Sequence, residues 1–362
     1  APVATHTNHL GAVRRAFVRV PALRPAVVAV AATGLVALLP IGSSAAEPPP
    51  SLSQVAARVA QLNDDASRIN EEYLQARLRV QAASTSLASV RARMDREQRA
   101  LNATRRNIGA IASSAYRNGG FDESLQLLLA KDPTQFLNQS ASLDQLARGQ
   151  GTALRRAETA SQRLAQDQIA LNQKLGDLKD AQGSAADAQQ RINAKLAEAR
   201  GLLSRLTAAQ RARYLADQRR RAIAVVNSSR RALQSISLPR GGEASGRAGA
   251  AVAYARAQVG DRYVWGADGP GSFDCSGLTM AAWRAAGVYL PHQSGAQYSA
   301  TSRVSRSELR PGDLVFFYSP ISHVGMYIGG GLMVHAANPS DGVEVASLSG
   351  YWSSVYAGAG RP

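Results

Sequence analysis

The 362-residue sequence has a single cysteine, Cys275, which excludes an internal disulfide and a cysteine-rich zinc site. The lone thiol is a buried structural group, an intermolecular bridge or a reactive nucleophile. Proline is nearly missing from the middle of the chain: between Ser51 and Leu238 only Pro133 occurs. Long helices interrupted near their centre are therefore expected there. Aromatic side chains are scarce before residue 254, since 14 of the 20 lie between Tyr254 and Tyr356. The compact core is expected at the C-terminal end. Long apolar runs are also absent. The longest, Ala26 to Leu39, is about 14 residues, short of the roughly 20 that a membrane-spanning helix needs.

The first 46 residues contain no acid but carry Arg14, Arg15, Arg19 and Arg24, followed by that apolar run and by Ser43-Ser44-Ala45-Ala46. This pattern predicts a secretory signal peptide over 1–46, cleaved before Glu47; an uncleaved membrane anchor is the competing reading. Loss of four arginines lowers the formal charge from +16 to +12. Export removes nucleic acid from the expected partners and leaves anionic wall polymers and lipid headgroups. The basic cluster Arg211, Arg213, Arg219, Arg220, Arg221, Arg230 and Arg231 reads as a solvated helix face.

Between residues 47 and 238 the apolar residues recur by sevens. Val59, Ala66, Tyr73, Val80, Leu87, Met94, Leu101 and Ile108 form one column, and Val55, Leu62, Ile69, Ala76, Ala83 and Val90 form its companion. The period predicts a left-handed coiled coil. A second arm repeats it in Leu164, Leu171, Leu178, Ala185, Ile192, Ala199 and Leu206, with Leu175, Leu196 and Leu203 as a weaker companion column. Asn118-Gly119-Gly120 and Asp132-Pro133 bracket the apolar segment Leu125 to Ala130, so an antiparallel hairpin with short helices at its tip is expected. Gly176, Gly183 and Gly201 predict breaks or flexibility in the second arm. Residues 239–247, rich in Pro, Gly and Ser, read as a flexible linker to a domain over 248–362.

In that domain the sequence predicts a helix near Ala250 to Val259, another after Cys275, and strands at Asp313 to Tyr318, Val324 to Ile328 and Leu332 to His335. Asp274 is a good N-cap and places Cys275 in the first helical turn, where the helix dipole lowers a thiol pKa. A thiolate nucleophile also needs an imidazole to pair with it and to protonate the leaving amine. Of the five histidines, His6 and His9 fall in the leader, leaving His292, His323 and His335. His323 opens one strand and His335 closes the next, so an antiparallel hairpin makes their rings neighbours. His292, in a loop after Leu290-Pro291, reads as a groove-wall residue.

Tyr263-Val264-Trp265-Gly266, Asp274-Cys275-Ser276-Gly277-Leu278, Arg310 to Phe317 and Ser322 to Gly329 together resemble the motifs of the NlpC-type peptidoglycan endopeptidases. The resemblance covers about 115 residues, from Gly246 to the end. It implies a papain-like α+β domain, with the nucleophile's helix packed on an antiparallel sheet. It also implies hydrolysis of the γ-D-glutamyl-diaminopimelate bond of wall stem peptides without metal or organic cofactor. By position Cys275 matches the nucleophile, His323 the base and His335 the third polar residue. Tyr263, Asp274 and Ser276 match residues lining the substrate and oxyanion region, although by themselves they read equally as a packed aromatic, a cap and a helix N-terminal hydroxyl. The helical region plus this domain resembles the Rip-type secreted hydrolases, which implies a divisome partner of the FtsEX kind for the coiled coil. A non-catalytic envelope scaffold is the reading from another class, and the presence of both nucleophile and base argues against it.

Overall fold

A computed structural model describes residues 51–117, 133–235 and 246–362. The expected leader, the hairpin tip before Pro133 and most of the expected linker lie outside the described residues. Helix α1 spans Leu52–Arg117 and helix α2 spans Pro133–Ser204. At the head of α1, Ser51 Oγ accepts from the Gln54 amide at 3.2 Å, and Gln54 Oε1 accepts from the Ser51 amide at 2.8 Å. That reciprocal pair satisfies two amides that a helix start leaves open. Pro133 opens α2, where its missing N–H costs nothing.

The two helices run antiparallel with the expected seam inward: Val55, Val59, Leu62, Ala66, Ile69, Ala76, Ala83, Leu87, Val90 and Leu101 are all buried. Of the second arm's column, Ile192, Ala199 and Leu206, the last just beyond α2, are buried and Leu164, Leu171, Leu178 and Ala185 half-buried, but Leu175 is 41% exposed and Ala181 and Ala188 take the companion place. They follow Leu178 and Ala185 by three residues, the spacing that keeps a second column on the partner's side. Gly176, Gly183 and Gly201 produce no break, for α2 is continuous to Ser204. Each costs up to about 1 kcal/mol relative to Ala, which the packing of neighbouring seam residues offsets. Arg58–Glu198, Lys195–Asp65, Arg191–Glu72 and Arg93–Asp167, between 2.6 and 3.1 Å, fix the alignment. At such exposure each is worth less than about 1 kcal/mol.

The second arm does not continue to residue 238. It turns at Arg205-Leu206-Thr207, and helix α3 covers Ala208–Ser235. Thr207 and Gln210 form another reciprocal cap, with bonds of 3.0 and 3.2 Å. Its far end docks on the C-terminal domain: buried Ser229 accepts from the Val345 amide at 2.9 Å, and Leu233 packs on the domain's core.

That domain begins with helix α4 (Arg247–Ala257), a two-residue parallel pair β1 (Arg262–Tyr263) and β2 (Ser272–Phe273), and helix α5 (Cys275–Ala285). Helix α6 (Ser294–Ala300) leads into β3 (Ser302–Val304), β4 (Leu314–Phe317), β5 (His323–Gly329), β6 (Leu332–Ala336) and β7 (Val343–Ser347). Short helix α7 (Tyr351–Ser354) and β8 (Tyr356–Arg361) end the chain. The sheet is antiparallel throughout, in the order β3-β8-β4-β5-β6-β7. Helix α5 packs on it, as the resemblance implies. Strand alternation sends Val324, Met326 and Ile328 into the core beneath α4 and α5, while His323 and Tyr327 take the other face. The motif at Arg310 to Phe317 is structural at its acid: buried Asp313 takes both Nε and Nη2 of Arg361 at 2.7 Å and the Arg310 amide at 2.8 Å.

Candidate active site

Asp274 caps α5 as expected. Its Oδ1 accepts from the Gly277 amide at 2.7 Å and from the Ser276 hydroxyl at 3.2 Å, and its Oδ2 accepts from the Gly266 amide at 2.8 Å. His292 Nε2 lies 2.9 Å from the same Oδ1. Burial opposes charge on that ring, but the Asp274 bond and charge, then Asp268 and Glu71, raise its pKa overall. Gly277 permits this closeness, because a Cβ there would stand 2.1 Å from the Ala267 carbonyl oxygen and 3.0 Å from His292 Nε2. Ser276 turns its hydroxyl into the cap, and its carbonyl accepts from Gln297 Nε2 at 2.8 Å.

Cys275 occupies the first turn of α5 and is 3% exposed. Its pKa does not fall as the helix terminus alone predicts. Burial pushes the thiol well above its ordinary value, and the carboxylates of Glu71 and Asp274 push further, against the Val324 and Ser276 backbone amides. An enclosed thiol between two acids keeps its proton. Tyr263 is also enclosed, and its hydroxyl is raised well above its usual range by burial, then by Cys275 and Asp274.

The sheet brings the two strand histidines together. His323 Nε2 lies 2.8 Å from His335 Nδ1, and both rings are buried. Burial, then the neighbouring ring, holds the pKa of His323 well below its ordinary value, so the ring is neutral. Trp352 of α7 stacks on His323 at 5.1 Å and 21°, and meets the His335 ring edge-on at 4.8 Å. Gly325 makes room for the pair: a Cβ there would meet Met333 Sδ at 2.7 Å and His335 Cβ at 3.2 Å. The Val324 amide reaches Cys275, so the start of β5 adjoins the head of α5. With its Nε2 held by His335, the nitrogen that His323 has left for a thiol is Nδ1.

The largest difference from the sequence reading is that α1 enters this site. Glu71 Oε2 accepts from the Ser294 amide at 2.8 Å and from its hydroxyl at 2.5 Å, while Oε1 lies 3.8 Å from Cys275 Sγ. The preceding residue, Asn70, donates from Nδ2 to Asp274 Oδ2 at 3.1 Å, and one turn back Ser67 Oγ accepts from Trp265 Nε1 at 3.2 Å. Glu71 is 5% exposed, and its pKa is pushed up to about 7, by burial first and also by the charge of Asp274, against the Ser294 bonds. A cleft of about 510 Å³ beside this contact is lined by Ser67, Arg68, Glu71, Gln293, His323 and Trp352 among others. Ser67, Asn70, Glu71 and Leu74 share one helix face, distinct from the seam. One sequence signal pointed there: Leu74 is apolar yet belongs to neither seam column, and it is 2% exposed. Trp352, Ser294 and Gln297 were likewise not read as site residues.

Residues 260–361 match the NlpC/P60 family. The protein named "Probable endopeptidase p60" of Listeria monocytogenes is 46% identical over 113 residues, which are 30% of this chain and 23% of that protein. A "Probable endopeptidase" of Mycobacterium tuberculosis is 48% identical over 105 residues, 29% of this chain and 27% of that one. The chain thus spans about a quarter of the length of these curated relatives. Among solved structures, the NlpC/p60 domain of the peptidoglycan hydrolase SagA is 35% identical, with 32% of this chain and 98% of that chain covered and a TM-score of 0.30. An NlpC/P60 family protein from Bacillus cereus is 32% identical, covering 32% of this chain and 39% of that chain, with a TM-score of 0.31. The C-terminal part of the chain is an NlpC/P60 domain.

Proposed function

From an NlpC/P60 domain whose cysteine is covered by the preceding helices, we propose that this protein is an exported peptidoglycan hydrolase held latent by α1. The substrate is a wall stem peptide, cleaved at the γ-D-glutamyl-diaminopimelate bond, and the site of action is the extracytoplasmic envelope. The observation that carries the reading is that β5 and β6 hydrogen-bond His323 to His335, while the Val324 amide, next along β5, reaches Cys275 at the head of α5.

The chemistry follows from those groups. With α1 withdrawn, solvent and substrate reach Cys275, and the Sγ proton moves to His323 Nδ1. The thiolate attacks the amide carbonyl carbon, and amide groups at the head of α5 receive the oxyanion. Collapse breaks the C–N bond while the imidazolium returns its proton to the leaving amine. Water, deprotonated by His323, then hydrolyses the thioester and restores the thiol and a free carboxylate. His335 orients His323 throughout. Tyr263, Asp274, Ser276 and His292 build the wall: Asp274 holds the cap, His292 braces it, and Tyr263 faces the thiol.

While α1 is docked none of this can begin, because Glu71 fills the approach to Sγ and its charge disfavours the thiolate. A divisome protein of the FtsEX kind engaging the hairpin is the relieving partner. The test is product analysis: purified muropeptides incubated with the full chain and with its Glu71→Ala variant, with products identified by mass. A free diaminopimelate-containing peptide released faster by the variant is expected; no cleavage by either protein, with Cys275 alkylatable in the variant, would leave a wall-binding scaffold. At His335, Asn or Gln is expected to preserve more turnover than Ala, since its part is a hydrogen bond.

A further inference from the structure

A base acting through Nδ1 needs its lone pair there, so the tautomer of His323 decides whether the dyad works. His323 must carry its proton on Nε2, which bonds His335 Nδ1. His335 in turn must present a bare Nδ1 and carry its own proton on Nε2. That second nitrogen is fully buried and has no hydrogen-bond partner among the described residues. A buried orphan N–H is costly, and nothing so far fixes which nitrogen holds the proton.

The register of β6 and β7 places Glu344 directly opposite His335. Its Oε1 lies 3.4 Å from His335 Nε2, with the carboxylate side chain one-fifth exposed. The distance is longer than a good hydrogen bond but well within reach of a charge–dipole interaction. A bare Nε2 facing a carboxylate would set two lone pairs against each other, whereas Nε2–H points a donor at an acceptor.

We propose that Glu344 is a positioning residue for the dyad, selecting the Nε2–H tautomer of His335 and through it the Nε2–H, Nδ1-basic form of His323. The relay then runs from Cys275 through His323 and His335 to Glu344. The groups packed on His335 are the His323 and Trp352 rings, the Gly325 backbone and Glu344, and of these only Glu344 brings a negative charge. The inference rests on the thiol-peptidase reading for its purpose, but the tautomer itself does not.

Nitrogen NMR of the full chain, with labelled histidine, reads the tautomer without turnover. His335 is expected as Nε2–H in the wild type and in Glu344→Gln, whose amide oxygen still accepts, and as a mixture or Nδ1–H in Glu344→Ala. In the full chain carrying Glu71→Ala, adding Glu344→Ala is expected to lower kcat about 10–100-fold with little change in KM, and Glu344→Gln to restore most of it. A wild-type His335 in the Nδ1–H form, or a tautomer indifferent to Glu344→Ala, overturns the proposal. Should the NMR behave as expected while no variant hydrolyses muropeptides, the positioning role stands and the peptidase reading fails.

Discussion

The two faces of α1 are built from opposite chemistry. One face lays Val55, Leu62, Ile69, Ala76 and Val90 against α2. The other, apart from the buried Leu74, presents Ser67, Asn70 and Glu71 to the C-terminal domain through hydrogen bonds. Apolar surface returned to water costs about 25 cal/mol per Å², with nothing regained. Polar groups exchange their partners for water at a net cost near 1 kcal/mol each. The difference teaches that one helix joins two neighbours with unequal permanence: the seam is made to stay closed and the polar face is made to part.

The most severe test bears on what the polar face covers. Cys275→Ala, in the full chain opened by Glu71→Ala, is expected to lose at least about a thousandfold in muropeptide hydrolysis with unchanged circular dichroism. Full activity in that double variant would remove the reason for any latch.

Next comes the comparison itself. Glu71→Ala is expected to raise the rate of Cys275 alkylation at least about tenfold and to leave the melting of the hairpin nearly unmoved. Leu62→Ala, on the seam, is expected to cost about 2–5 kcal/mol of stability. If both substitutions lowered the melting temperature equally and neither exposed Cys275, the two faces would not differ in kind.

Proton linkage sharpens the contrast further. Docking raises the Glu71 pKa from its ordinary 4.5 to about 7, so the docked state takes up a proton. Docking is therefore favoured fully below 4.5, and that advantage is lost as pH rises to about 7. Asp274, Cys275, Tyr263 and His292 face the same pocket, but His292 keeps its Asp274 partner whether or not α1 is present. Between pH 5 and 7.5 the closed state should weaken by about one to two orders of magnitude. Cys275 alkylation in the wild type, divided by that in Glu71→Gln to remove thiol ionisation, is the measure; a flat ratio would discard the linkage. The smallest effect is expected at Arg58→Ala, which should cost the hairpin less than about 1 kcal/mol in a denaturant titration, since its bond to Glu198 is exposed.

The seam was legible because burial on one side of a helix forces a period, and periods survive in a sequence. The pairing of His323 with His335 was legible because one opens a strand and the other closes the next, positions that an antiparallel hairpin makes neighbours. Asn70 and Glu71 were not, for a polar pair on a helix ordinarily belongs to its wet side, and what buries them lies some two hundred residues away in the chain. The break before α3 was legible and passed over: Thr207-Ala208-Ala209-Gln210 is a capping box in plain sequence. The thiol's raised pKa was hidden for a related reason: the helix terminus is local, whereas the burial that chiefly raises it, and after that the acid of α1, come from distant parts of the chain.

The length of α1 gives the contact at Glu71 a mechanical meaning. The closed seam makes the two arms of the hairpin move as one body, and Leu52, packed on the basal cluster of Val55, Val59, Leu62, Ala199 and Leu206, marks the fulcrum. From Leu52 to Glu71 is 19 residues, about 28 Å, and from Leu52 to Arg117 is 65 residues, about 98 Å. A sideways pull at the far end therefore acts at Glu71 with roughly threefold leverage, while a 5 Å swing there moves the carboxylate by only about 1.5 Å. That displacement is enough to stretch bonds of 2.5 and 2.8 Å beyond hydrogen-bonding range. The rod is a crowbar: a weak tug applied far from the cysteine, by anything that grips the distal end, prises the lock at its short arm.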